Sequence, residues 1–217
     1  MEVLDAASWR RAALRLEEGS QALGLSLDAE VRLRLMTYLE IMGRWNRVFN
    51  LTAIRDPEEM VTRHVLDSLA VFPHLPAGTV LDVGSGAGLP GIPLALVAPE
   101  RGVTLLDRSH KRIDFLTEVA AQLRLSNVEL VCQRVEDHKP AAPYDVVMAR
   151  AFASLYDIVM ATDHLLAPQG VVVAMKGAFP SEELATIVPP YRVEAVHALF
   201  VPGLSAKRHL VVLARHA

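Results

Sequence analysis

The chain has 217 residues, 52% of them hydrophobic and 22% charged, with a formal net charge of −3. Such a composition supplies one substantial core, or a core with a small appendage, and excludes a disordered chain. The slightly acidic balance excludes a general nucleic-acid coat protein, which needs many uncompensated Lys and Arg, but permits a local basic site.

The opening segment, MEVLDAASWRRAALRLEE, lacks the basic-then-apolar order of a secretory signal, so a cytoplasmic location is expected. Residues 1–75 read as helical. Ser26 is positioned to cap a helix whose Val31, Leu35, Tyr38, Leu39, Met42 and Trp45 form one apolar stripe at three- and four-residue spacings. The run Asp56-Pro57-Glu58-Glu59 is a second start signal: a capping carboxylate, a proline where no amide hydrogen is needed, and two acids at the positive end of the helix dipole. That helix is expected to run to about Phe72, before Pro73 and HLPAG break the pattern. An N-terminal helical extension over 1–75, packed on a core domain over 76–217, is the predicted organisation.

From Thr79 the rhythm changes. Short β-rich runs, TVLDV, VTLLD, VELVC, YDVVMA and VVVAMK, alternate with helical patterns such as HKRIDFLTEVAAQL, which implies right-handed crossovers and a parallel sheet covered on both faces. YRVEAVHALF and HLVVLARH are separated by too few residues for a helix, so they are expected to pair antiparallel at one side of the sheet. The single cysteine, Cys132 in VELVCQ, reads as a buried strand thiol. The apolar run IPLALVAP at 92–99 is interrupted by proline and falls well short of the roughly 20 residues a spanning helix needs, so no membrane span is expected.

The first strand runs into LDVGSGAGLPG at 81–91. A glycine-rich turn here is the usual ligand position in an open α/β sheet, because glycine lets a ligand approach the backbone. Leu89 stands where the dinucleotide fingerprint wants its third glycine, and no Gly-Lys-Ser/Thr closes the loop, so both phosphate-binding readings lose ground. A nucleophile elbow on Ser85 would need glycine at 83 and 87, where the chain has Val and Ala. What survives is a ligand without a pyrophosphate, and S-adenosylmethionine fits: Gly84, Ser85 and Gly86 offer space and backbone donors. Asp107, ending the second strand, offers a carboxylate to the ribose hydroxyls, though it could instead cap the next helix. Val135 and Glu136, after the third strand, are placed to meet an adenine.

Five segments carry a resemblance: NLTAIRDPEEMVTRHVLDSL at 50–69, LDVGSGAGLPGIPLALVAPE at 81–100, LLDRSHKRIDFLTEV at 105–119, ARAFASL at 149–155 and AMKG at 174–177. They resemble the RsmG family (glucose-inhibited division protein B), bacterial 16S rRNA guanine-N7 methyltransferases. The resemblance implies an α/β fold with the Rossmann-like sheet of class I S-adenosylmethionine-dependent methyltransferases, mostly parallel with an antiparallel last strand. It also implies S-adenosylmethionine as cofactor and the 16S rRNA of the small ribosomal subunit as substrate, with no obligate protein partner inferred. By motif position it assigns Gly84, Leu89, Val135, Glu136 and Arg150 to cofactor and active-site contacts. The sequence departs from the family in Ser85, often Thr, and Val135, often Ala.

On chemistry and placement, Arg63, His64, Lys176 and Arg208 are the candidate RNA contacts, and Arg150 with Lys176 would orient the base. Asp67 lies three residues after His64 and could simply pair with it. No His, Cys or acidic residues show metal-ligand spacing. Two other classes stay open: a small-molecule methyltransferase, and a non-catalytic cofactor-binding assembly factor.

Overall fold

The computed structural model describes residues 6–150 and 154–216. Two long helices come first, α1 (Ala6–Ala22) and α2 (Ala29–Phe49). The cap of α2 is Asp28 rather than Ser26: the Asp28 carboxylate accepts the Val31 N–H at 2.7 Å. A carboxylate outdoes a hydroxyl here because it also meets the helix dipole. The next helical stretch begins at the expected Asp56 cap, which accepts the Glu59 N–H at 2.9 Å. It comprises α3 (Pro57–Met60), π-helical turns over Val61–Leu66, and α4 (Asp67–Leu69), stopping short of Phe72, which opens a separate 3-10 turn (Phe72–His74).

The remainder alternates strand and helix: β1 (Val80–Val83), α5 (Gly91–Val97), β2 (Val103–Asp107), α6 (His110–Gln122), β3 (Val128–Cys132), β4 (Tyr144–Arg150), α7 (Leu155–Thr162) and β5 (Leu166–Lys176). A short α8 (Ser181–Leu184) precedes the closing hairpin of β6 (Tyr191–Leu199) and β7 (Arg208–Arg215). The sheet order is β3-β2-β1-β4-β5-β7-β6; the first five strands are parallel, and β7 runs antiparallel to both β5 and β6. The expected mostly parallel α/β sheet with an antiparallel last strand is present, with β7 inserted between β5 and β6 rather than added at the rim.

The chain departs in opposite directions from the centre of this sheet, between β1 and β4, and such a switch point opens a crevice at the strands' carboxyl ends. One apolar cluster joins Leu16, Tyr38 and Leu66 of the N-terminal helices to Ile92, Leu105 and Leu116 of the sheet layer. A second, with Val83, Val147, Ile158 and Val172, fills the opposite face under α7. Polar ties reinforce the first: the Trp45 indole donates to Glu118 at 2.8 Å and the Tyr38 hydroxyl to the Ala87 carbonyl at 2.5 Å. The N-terminal helices therefore press on the layer that holds the glycine loop. Cys132 is half-buried rather than buried, since β3 is an edge strand, and its Sγ lies 3.2 Å from His110 Nδ1. Among the described residues no helix is long and apolar enough to cross a membrane.

Candidate functional site

The loop after β1 is anchored to β2: the N–H groups of Gly84 and Ser85 both donate to the Leu106 carbonyl, at 2.8 and 3.0 Å. Its glycines divide into two kinds. Gly84 and Gly86 adopt left-handed φ angles of +67° and +59°; a β-carbon at Gly84 would meet nothing within 4 Å, and one at Gly86 only the Gly84 carbonyl at 3.8 Å. Gly91 faces inward, where a β-carbon would lie 2.2 Å from Leu105 and 2.9 Å from an Asp82 oxygen. The loop is open on the side of Gly84 and Gly86 and tightly packed on the side of Gly91. Leu89 is buried in the core, and the buried Ser85 hydroxyl has no protein partner.

Asp107 sits beneath this loop. One carboxylate oxygen accepts the Ser109 N–H at 2.9 Å; the other accepts Gly86 N–H at 2.9 Å and Arg112 at 3.0 Å. Asp107 thus steadies the approach to α6 and ties it to the glycine loop. A carboxylate has about four lone-pair sites. One therefore remains unoccupied by these three bonds, and a second if Arg112, on the surface, yields its place. Val135 and Glu136 lie in a 3-10 turn (Val135–Asp137) past the β3 carboxyl end, Val135 buried against the second cluster and Glu136 exposed beside Arg134.

Asp82, in the middle of β1, was not a sequence candidate. It is fully buried, one oxygen takes the Gly91 N–H at 2.9 Å and the other has no protein partner. Burial raises its pKa to about 7, against the lowering effects of the Gly91 N–H and Arg150. The signal available was an acid inside an otherwise apolar strand, VLDV.

The second half of the site is built on Asp67, 1% exposed, which receives Arg208 Nε at 2.8 Å and Arg150 Nη2 at 3.4 Å. Arg150 also donates to the Arg63 carbonyl at 3.2 Å, while its buried Nη1 has no protein partner. Asp67 thereby gathers Arg150 and Arg208, two of the predicted residues, while the Arg63 side chain lies 3.9 Å from Glu59 on its own helical stretch. The suggested His64–Asp67 pair does not form. In the widened π-helical turns a three-residue spacing no longer puts side chains on one face. His64 is buried, its Nε2 3.0 Å from the Thr52 hydroxyl, and desolvation, then Arg150, lowers its pKa to about 4. It is a neutral interior group, which removes it as a cationic RNA contact. Lys176 is mostly buried and held by Glu183 at 2.7 Å; the same Glu183 oxygen accepts the Leu155 N–H at the start of α7. As described, this lysine ties β5 to α7 rather than standing free.

A ligand loop with open backbone after β1, a carboxylate closing β2 and a cationic group at the end of β4 define, on this sheet, a Rossmann-like class I methyltransferase. Solved structures share the fold. One is a SAM-dependent methyltransferase from Aquifex aeolicus, with a TM-score of 0.53, 18% identity and coverage of 73% of this chain and 94% of that one. Another is TYW2 from M. jannaschii in complex with AdoMet, with a TM-score of 0.52, 17% identity and coverage of 69% and 74%. The sequence narrows the class. Residues 32–211 match the GidB family, described as rRNA small subunit methyltransferase G. The ribosomal RNA small subunit methyltransferase G of Pseudomonas paraeruginosa is 49% identical over 209 residues, covering 96% of this chain and 98% of its own length. That of Methylobacillus flagellatus is 49% identical over 199 residues, covering 92% and 96%. The chain belongs to the rRNA small subunit methyltransferase G family.

Proposed function

We propose that this protein transfers the methyl group of S-adenosylmethionine to N7 of a guanine in the 16S rRNA of the small ribosomal subunit, acting in the cytoplasm without an obligate protein partner. The observation that carries the reading is the pairing of a ligand-side glycine loop with the Asp67-held arginines, in a chain of this family. The cofactor fits the residues present. Its amino-acid end would lie against the open side of Gly84 and Gly86. Its ribose would reach Asp107, and its adenine Val135 and Glu136. When bound it supplies a methyl group on a positively charged sulfur.

N7 of guanine carries a lone pair and no proton, so the acceptor needs no general base. What the protein must supply is alignment, which in favourable cases is worth roughly 7–11 kcal/mol. Arg150 is suited to this. Its Nη1, which has no protein partner, would donate to O6, the acceptor beside N7, and leave the N7 lone pair open to the methyl group. Arg63 and Arg208 would hold RNA phosphates, and Lys176 would keep the β5 end and α7 in register. The N-terminal helices, from Ala6 onward, would serve as a buttress for the domain over 76–217 by bracing the loop from Tyr38. Family membership does not favour a small-molecule methyltransferase or a non-catalytic assembly factor. The test is transfer of labelled methyl from S-adenosylmethionine to small subunits that lack the modification. Label in 7-methylguanine of 16S rRNA supports the reading; label in free nucleosides at a comparable rate, or none, refutes it.

A further inference from the structure

The carboxyl edge of the sheet continues past Arg150. Arg150 is in register with Met175, Lys176 with His209, and Leu199 with Arg208, so the ends of β4, β5, β7 and β6 stand in one row. Two phenylalanines occupy this row, Phe179 just after β5 and Phe200 just after β6. The two residues are 54% and 68% exposed.

Phe179 is braced. Its ring meets that of His209 edge to face, with centroids 5.5 Å apart and planes at 84°. His209 is fixed in turn, because Gly177 O can only accept, so Nδ1 donates to it at 2.9 Å. Exposed Lys207 lies two residues before His209, Arg208 between them is held by Asp67, and the nearby Glu183 is paired with Lys176. Two strand spacings, about 10 Å, separate His209 from Arg150. Exposed aromatic faces interleaved with cations are how proteins hold unpaired RNA, each base stacking on a ring while its phosphate meets a charge.

We propose that Phe179, backed by His209, is a stacking platform for an unpaired base of the RNA that adjoins the methylated guanine, with Lys207 at its phosphate. The inference rests on the rRNA reading above and adds a residue outside the cofactor site. Phe179→Ala should raise KM for unmodified small subunits about tenfold, the loss of one stacked base. S-adenosylmethionine affinity without RNA and the thermal midpoint should stay at wild-type values. Phe179→Trp should restore KM, and Phe179→Leu, apolar but without a π face, should not. Unchanged KM in Phe179→Ala, or a fully active Phe179→Leu, overturns the platform while leaving the methyltransferase reading intact. Should the wild type bind subunits without methylating them, that reading alone fails, and the same series is scored on subunit affinity by the same criteria.

Discussion

Gly84→Ala should weaken cofactor binding without disturbing the fold more than its backbone strain requires, and Gly24 supplies the control. Gly84 has φ +67° and Gly24, in the turn between α1 and α2, has φ +73°; an added β-carbon meets nothing within 4 Å at either. Forcing alanine into the left-handed region costs roughly 1–2 kcal/mol. In a chain of this size each kcal/mol lowers the midpoint by about 2–4 °C. Both variants should therefore melt about 2–8 °C below wild type. They part company in binding. At Gly84 the new methyl enters the space assigned to the cofactor, so titration calorimetry should show affinity for S-adenosylmethionine falling at least about tenfold, or ~1.4 kcal/mol. Gly24→Ala should bind as wild type does. Equal affinities in the two variants, with matching losses of stability, would mean that Gly84 serves only the turn.

Arg150→Ala should lower kcat/KM for methyl transfer about a hundredfold, ~2.7 kcal/mol of lost transition-state alignment, and stability by only about 1 kcal/mol, because Asp67 keeps Arg208. Similar losses in steady-state kinetics and in urea unfolding would make Arg150 structural. Stability against pH should carry two opposing signatures. Asp82, raised from 3.8 to about 7, binds more protons folded than unfolded, so its contribution is present at low pH and is lost as pH rises through that window. His64, lowered from 6.5 to about 4, binds fewer when folded, so its contribution is lost as pH falls through 6.5 towards 4. Each slope is at most ~1.4 kcal/mol per pH unit. Between about 4 and 6.5 they cancel, so Asp82→Asn should expose a rise of stability with pH and His64→Gln a fall; identical pH profiles for both variants would contradict the assigned burial.

The sheet and the open glycine loop after its first strand were legible because their signals are local. Strands buried on both faces read as apolar runs, and a glycine loop that refuses the phosphate patterns at Leu89 already points away from a dinucleotide. Asp107 could be placed from the end of its strand alone. What the sequence concealed depends on long-range pairing or altered periodicity. Asp67 looked like the partner of His64 because the three-residue rule assumes 3.6 residues per turn, and the π-helical turns over Val61–Leu66 break it. Its true partners, Arg150 and Arg208, arrive from β4 and β7. Lys176 at a strand end looked free until α8 brought Glu183 to it. The Tyr38 hydroxyl appeared in the sequence only as part of an apolar stripe, yet it braces the ligand loop.

The central claim, that N7 is the acceptor and positioning replaces a base, is tested most directly at the target nucleotide. The modified guanine is first mapped in 16S rRNA of small subunits treated with the protein and S-adenosylmethionine. Subunits are then rebuilt with 7-deazaguanosine at that nucleotide, which puts carbon in place of N7. Methyl transfer should vanish while the protein still binds the rebuilt subunits; continued methylation of that nucleotide would show that another atom accepts the methyl group and that a proton-removing residue must exist.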